Sequence, residues 1–425
     1  MQPKSKHKIT TLTGIAIVVA NMIGTGAFTS LGFQLKDLNN PFVVLTLWVL
    51  GGILALSGAF SYAEVGTVIS KSGGEYAFLS KIYNPLIGYL SGWISLTVGF
   101  AAPIALAAIA FSEYFPFGNF NVKWMSIALV AVITLIHTQS LKLSADFQNI
   151  STLLKIILIV IIICVGLILP GNSGNEIITY KGYFTELTST AFAIGLIYVS
   201  YSYSGWNAAA YITEEFENPL KSLPKALIGG TVLVTVLYTL LQYVFLKHVP
   251  VNDLAGQLNV GTIATKQMLG EKAGSFFGLA ISLLLISGIS AMVWVGPRVT
   301  SSIAKEHRLW SYFQTQENGI PKRALWLQFG ISALLLLTGN FEQIMIYCGI
   351  LLTASSLMTV LGVLKLRKQN QQIKGFKSPL FPLFQIVFIL LSVWMITYAF
   401  INNPFETILG MSNLLIGTGT YYWSK

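Results

Sequence analysis

Asn21-Met22-Ile23-Gly24-Thr25-Gly26-Ala27-Phe28 lies inside the first long apolar run of a 425-residue chain. Two glycines bracket a threonine at the depth where a membrane helix would be most regular. A helix-interior glycine costs about 1 kcal/mol relative to alanine, so the pair calls for a reason. The bilayer itself follows from composition. Of all residues 54% are hydrophobic and 10% charged, whereas a soluble domain carries about a quarter charged residues. Segments of about 18 or more residues with few charges recur from end to end, as spanning helices require.

The hydropathy pattern predicts twelve spans, at about 9–35, 41–69, 82–113, 124–140, 147–169, 188–213, 224–249, 274–304, 323–339, 342–364, 380–399 and 404–422. The first run is too long for a signal-peptide core and is expected to stay as a span. With no long polar insert between spans, residues 1–425 read as one membrane domain without an attached ATPase or receptor domain. Of 26 basic residues, only Lys36, Lys123, Lys181, Lys247, Lys266 and Lys272 fall in outer loops if the N-terminus, with Lys4, Lys6 and Lys8, is inside. Lys155 lies within a span, and the others fall on the inner side. Both termini of this multi-pass chain are therefore expected in the cytoplasm. The net charge of +10 follows from that asymmetry and implies no nucleic-acid partner. The basic tract Lys365-Leu366-Arg367-Lys368, with Lys374 and Lys377, reads as a juxtamembrane loop.

Several chemistries find no support. Cys164 and Cys348 both fall in predicted spans, which argues against an extracellular disulfide. His7, His137, His248 and His307 are scattered without metal-ligand spacing. No Gly-x-x-x-x-Gly-Lys-Ser/Thr phosphate loop is present. No metal, no cofactor and no enzymatic nucleophile–base pair is expected.

The opening stretch has a counterpart. Tyr201-Ser202-Tyr203-Ser204-Gly205-Trp206-Asn207 again puts small and polar residues in mid-span, at the start of a second group of five helices. Paired interruptions at corresponding positions of two halves point to a transporter's midplane site. Unwinding exposes N–H groups at the start of the second arm, which attract an anion, and leaves carbonyls at the end of the first arm for a cation. A substrate carboxylate on the amides of Thr25, Gly26 and Ala27, with its ammonium on carbonyls near Met22, Ile23 and Tyr201, would suit a zwitterionic amino acid. Irregular backbone at this depth is tolerated where it is protein-buried or lines a cavity. A glycine pair serving only close helix packing is the competing reading, and the second interruption weighs against it.

Longer blocks carry a family resemblance. Ile23-Gly24-Thr25-Gly26-Ala27-Phe28 resembles the "IGSGIF" signature of the amino acid–polyamine–organocation superfamily. Tyr62-Ala63-Glu64-Val65-Gly66, Ser72-Gly73-Gly74-Glu75-Tyr76 and Gly88-Tyr89-Leu90-Ser91-Gly92-Trp93 resemble its "YAELG…SGGEY…G(F/Y)xxGW" block. Ser204-Gly205-Trp206-Asn207, Thr213-Glu214-Glu215, Asn218-Pro219 and Leu223-Pro224-Lys225-Ala226 are similar to the L-amino acid transporter branch. The resemblance covers nearly the whole chain. It implies an all-α membrane protein with a LeuT-like 5+5 inverted repeat: repeat one at about 9–169, repeat two at about 188–365, both first helices broken, and two peripheral helices at about 380–422. It also implies a fifth-helix lysine, here Lys155, whose ammonium replaces a sodium ion and braces the Ile23–Gly24 region. The sequence departs from the branch at Ser204 (often glycine), Tyr201 (often phenylalanine) and Thr25 (usually serine). The outer loop at about 114–123 lacks the cysteine that joins some members to a heavy chain, so no disulfide-linked heavy chain is expected.

The remaining expectations concern single residues. Tyr201 is the candidate lid over the substrate, and Asn207 and Ser204 face the site. Tyr203 and Trp206 have packing and site roles open. No carboxylate falls in mid-span, since Glu64, Glu113, Glu214 and Glu215 lie toward helix ends, which argues for neutral substrates. Glu214, Glu215 and Glu217 are set either to pair with Lys221, Arg298 or Arg308 as an inner gate or to form a solvated cluster. Gly73-Gly74-Glu75 reads as a structural turn. The expected activity is sodium-independent alternating-access transport of small or medium neutral L-amino acids across the plasma membrane, as an exchanger. The rivals are proton-coupled symport through the same site and an amino-acid sensor or channel.

Overall fold

The computed structural model describes residues 8–118, 121–139, 144–171, 173–315, 319–369 and 375–424. Lys4, Lys6, His7 and Lys374 lie outside the described residues. Helices α1 (Thr11–Met22) and α2 (Gly26–Gln34) are two arms of the first run, bent by 41° at the glycine pair. Next come α3 (Pro41–Ile69), the short α4 (Gly74–Ile82), and α5 (Pro85–Ile94), which passes through a π-helical turn at Ser95–Gly99 into α6 (Ala101–Tyr114). α7 (Val122–Gln139), α8 (Ser144–Ile168) and the short α9 (Tyr183–Leu187) follow. α10 (Thr190–Ser202) opens the second interrupted run, which resumes as a 3-10 stretch, Ala208–Glu215. Beyond it lie α11 (Pro219–His248), α12 (Val251–Leu254), α13 (Val260–Leu269) and α14 (Glu271–Glu306). A 3-10 turn, Arg308–Phe313, then leads to α15 (Lys322–Thr338), α16 (Phe341–Lys368), α17 (Leu383–Asn402) and α18 (Pro404–Trp423).

Local chemistry sets these boundaries. Asn40-Pro41, Asn84-Pro85, Asn218-Pro219 and Asn403-Pro404 each open a helix. Proline in the first turn forfeits no bond, because its N–H would have no intrahelical partner. The Asn40 side chain accepts from the N–H of Phe42 and Val43, and that of Asn84 from Ile87. α16 opens on a reciprocal capping box between Asn340 and Gln343, which satisfies two orphan donors at once.

Eight described helices are long and apolar enough to cross a membrane, or nine if the bent α1–α2 pair counts as one span. The other three predicted spans fall on α10, α15 and α18; α10 is a shorter apolar helix of 13 residues and α15 has 17. α11 starts at Pro219, ahead of the expected Pro224, which sits inside the helix. α4 and α13 have no counterpart among the predicted spans, being too short to register in a spanning-length window.

The protein core is apolar and continuous through the two broken runs. On α8 the opposite face exposes Ile150, Leu153, Leu154, Ile157, Val160 and Ile161. At the end of the bundle that carries Ile9, Arg367 of α16 makes a two-bond pair with Glu64 of α3, at 2.6 and 2.8 Å. The Glu64 side chain is 1% exposed and also accepts from the Ser378 N–H. Lys365 to Lys368, expected in a loop, are thus the last turns of α16. At the other end, Glu342 at the start of α16 takes Lys36 at 2.6 Å and the Tyr198 hydroxyl at 2.6 Å, while Phe33 stacks on Phe341.

Candidate functional site: two facing breaks

α1 ends when the Ile23 N–H bonds the Val19 carbonyl and the backbone then turns out of the helix, at φ −75° and ψ 89°. The freed Met22 carbonyl is met by the Tyr238 hydroxyl of α11 at 2.5 Å, and the same hydroxyl faces the Gly24 N–H. α2 restarts with Thr25 at its N-cap in helical conformation, without a side-chain cap. The Thr25 carbonyl accepts from the N–H of Phe28 and Thr29 and from the Thr29 hydroxyl. Among the described residues no hydrogen bond is made by the N–H of Thr25, Gly26 or Ala27. Three adjacent unpaired amides thus stand at a helix start, the arrangement that favours an anionic group.

The second break lies directly against the first. A Cβ on Gly26 would come within 2.5 to 2.7 Å of Ser202 atoms, and one on Gly205 within 2.7 Å of the Asn21 carbonyl oxygen. Gly205 has φ +98°, a region that side-chain-bearing residues rarely adopt. The hydroxyls of Ser30 and Ser202 meet at 2.9 Å and tie the two runs together. After Gly205 the chain tightens, Ala208 bonding back to Gly205 and Ala210 to Asn207. The second arm is a 3-10 helix with a non-helical Ile212, in contrast to the α-helical second arm of the first run.

Each expected site residue has a definite place. Met22, Ile23, Thr25, Gly26 and Ala27 are buried, and Gly24 is half-buried. Tyr201 is 5% exposed, with its hydroxyl near the Thr25 side chain. Ser204 is half-buried at the break. Asn207 turns its amide toward Glu75, donating from Nδ2 to Oε1 at 2.6 Å. Tyr203 and Trp206 pack: Tyr203 donates to the Trp48 carbonyl and stands among Trp48 and Tyr238, and Trp206 lies against Tyr62 and Phe388. Lys155 of α8 is 7% exposed, and a Cβ on Gly288 of α14 would lie 3.6 Å from its Nζ. The hydrogen bonds recorded among the described residues do not join it to Ile23 or Gly24. Glu214 exchanges bonds with Ser72 at both its N–H and its carboxylate, and the Glu215 carbonyl receives the Ile9 N–H. Neither carboxylate is ion-paired with Lys221 or Arg308 among the described residues.

Accessibility is uneven. Every residue of α2 is buried, whereas Asn21 at the end of α1 is exposed and Gly24, Ser204 and Asn207 are half-buried. Beyond Gly26 the Glu342 cluster and the Phe33–Phe341 stack close that end. The partly exposed residues of the breaks thus lie on the α1 side.

A family model described as amino acid permease matches residues 9–422. The chain belongs to the amino acid permease family. Among similar proteins, the permease is 30% identical to b(0,+)-type amino acid transporter 1 of Mus musculus over 410 residues, covering 92% of this chain and 82% of that protein. It is 26% identical to the cystine/glutamate transporter of Homo sapiens over 442 residues, with 99% and 86% covered. It is also 26% identical to Asc-type amino acid transporter 1 of Mus musculus over 445 residues, with 98% and 81% covered. These relatives are amino acid transporters of the L-amino acid branch, and none is an enzyme.

Four side chains around this candidate site went unread in the sequence. Tyr238 and Gln242 of α11 bond the Met22 and Ala27 carbonyls. Gln242 is fully buried, and a lone amide inside an apolar run was the available signal. Tyr114 donates to the Phe28 carbonyl at 2.8 Å. Glu75, taken for a turn residue, is 5% exposed and accepts from Tyr62, Asn207 and Tyr211.

Proposed function

We propose that the permease carries small or medium neutral L-amino acids across the plasma membrane by alternating access, without sodium, as an exchanger. The observation that carries this reading is the row of unpaired amides at Thr25, Gly26 and Ala27, set beside Tyr201 at the break. A carboxylate on those amides and an ammonium on the carbonyls near Met22, Ile23 and Tyr201 match the two charged ends of an α-amino acid. Ser204 and the Tyr201 hydroxyl add bulk at the second break, which favours alanine-, serine- or threonine-sized side chains.

The architecture that goes with this function is a single membrane domain over 1–425. It comprises twelve spans, a LeuT-like 5+5 inverted repeat at about 9–169 and 188–365, and peripheral helices at about 380–422. Both termini face the cytoplasm, as the lysine and arginine distribution favours, and the apolar outer face of α8 meets lipid. With no cysteine at 114–118 or 121–123, the permease works without a disulfide-linked heavy chain. Lys155 is the buried cation that stands where a sodium ion would otherwise be needed, and Glu214 and Glu215 belong to the inner gate.

The test is reconstitution in vesicles with a panel of amino acids. Uptake that requires an internal amino acid supports exchange. Uptake driven by an imposed pH gradient supports instead a proton symporter using the same site, a reading that the deep burial of Lys155 keeps in view. Binding without movement marks a sensor. Decarboxylated analogues are expected neither to compete nor to exchange, and strong saturable competition by such an amine overturns the backbone clamp.

A further inference from the structure

Glu75 is a buried carboxylate whose recorded partners are all neutral. It sits in the first turn of α4, where the helix start favours negative charge. Tyr62 of α3 donates to Oε1 at 2.8 Å, Asn207 donates to Oε1 at 2.6 Å, and the Tyr211 hydroxyl donates to Oε2. Two of these donors belong to the second broken run. The loop before α4 binds the same run through the Gly73 N–H to the Tyr211 carbonyl and through the reciprocal Ser72–Glu214 pair. A carboxylate accepts and cannot donate, so Glu75 fixes which end of the Asn207 amide faces it. Nδ2 is committed to Glu75, and Oδ1 makes no hydrogen bond among the described residues. Asn207 is half-buried at the break.

We propose that Glu75 is a positioning residue for substrate recognition: by holding Nδ2 it fixes Oδ1 of Asn207 as an acceptor for the amino group of the substrate. This rests on the amino-acid transport reading above. Glu75 itself touches no substrate. It removes the amide's freedom to flip, so that the site offers an acceptor and never a donor at this point. A hydrogen bond to a charged group is among the stronger ones, and discrimination falls on ammonium against hydroxyl.

The experiment measures competition by an amino acid and by its 2-hydroxy-acid analogue, in vesicles containing wild type, Glu75→Leu, Glu75→Gln or Asn207→Ala, with folded protein checked by gel filtration and thermal melting. Wild type is expected to prefer the amino acid strongly. Glu75→Leu frees the amide and is expected to shrink that preference about tenfold, chiefly through KM. Glu75→Gln, whose Oε1 still accepts from Asn207, is expected to keep the preference. Asn207→Ala removes the acceptor and is expected to shrink the preference as Glu75→Leu does. It also serves if Glu75→Leu does not fold. A purely structural Glu75 would lower the amount of active protein and leave the ratio unchanged. An unchanged ratio in folded Glu75→Leu or in Asn207→Ala, or a lost one in Glu75→Gln, overturns the proposal. Failure of wild type to bind any amino acid would instead sink the transport reading.

Discussion

Gly205 of the second break rests on the Asn21 carbonyl of the first, so closely that a Cβ there would come within 2.7 Å of the oxygen. The two interruptions are therefore one contact, backbone against backbone, at φ +98°. Gly205→Ala puts a side chain on a left-handed conformation, which costs about 1–2 kcal/mol, and adds a clash. Thermal melting should show a clearly lowered midpoint, and uptake should fall more than expression does. Wild-type melting and uptake in the variant would mean that the breaks part easily.

Tyr238→Phe removes the donor that meets the Met22 carbonyl. A buried carbonyl left without its partner costs about 1–3 kcal/mol. Stability in detergent should drop by that order, and KM should rise because Met22 lines the expected ammonium site. An increase in KM without a stability loss would assign Tyr238 to substrate contact alone.

Arg367→Met strands the Glu64 carboxylate at 1% exposure. Breaking one partner of a buried pair costs about 3–5 kcal/mol, whereas replacing both is far milder. Glu64→Gln with Arg367→Met should therefore melt above Arg367→Met alone. If the double variant is the less stable of the two, the pair is not acting as a unit.

Uptake should be equal in sodium and choline media, and Lys155→Ala should impair transport severely while leaving membrane expression largely intact. A buried ammonium in a span is costly unless it serves the site. Sodium-stimulated uptake by the wild-type permease would overturn the assignment of Lys155 as the resident cation.

The breaks were legible in the sequence because glycine has a backbone cost that nothing but geometry explains. Gly26 and Gly205 stand at the contact between the two runs, and Gly24 lies at the bend of the first. The order of long spans was legible because apolar length has few other uses. The partners of the breaks were not legible. Tyr238 and Gln242 bond Met22 and Ala27 across more than two hundred residues, and no local pattern signals such pairing. Glu75 was read as part of a structural turn, yet it is buried and accepts from Tyr62 and Tyr211. Asn207 was read as a site residue without the carboxylate that aims it. The 3-10 character of the second arm was also invisible, since periodicity over so few residues does not separate it from an α-turn.

The short bridge between Ile9 and Phe216 has a mechanical corollary. Ile9 donates its N–H to the Glu215 carbonyl and accepts from the Glu217 N–H. A Cβ on Gly14 would strike the Phe216 ring at 2.6 Å, so the ring fits flush against α1. The outboard lever of one interrupted rod is thus clasped to the tail of the other. A swing of α1 on the Gly24 hinge either snaps two backbone bonds or carries the tail along with it. The second course is cheaper, which gears the two rods to travel as a single crank.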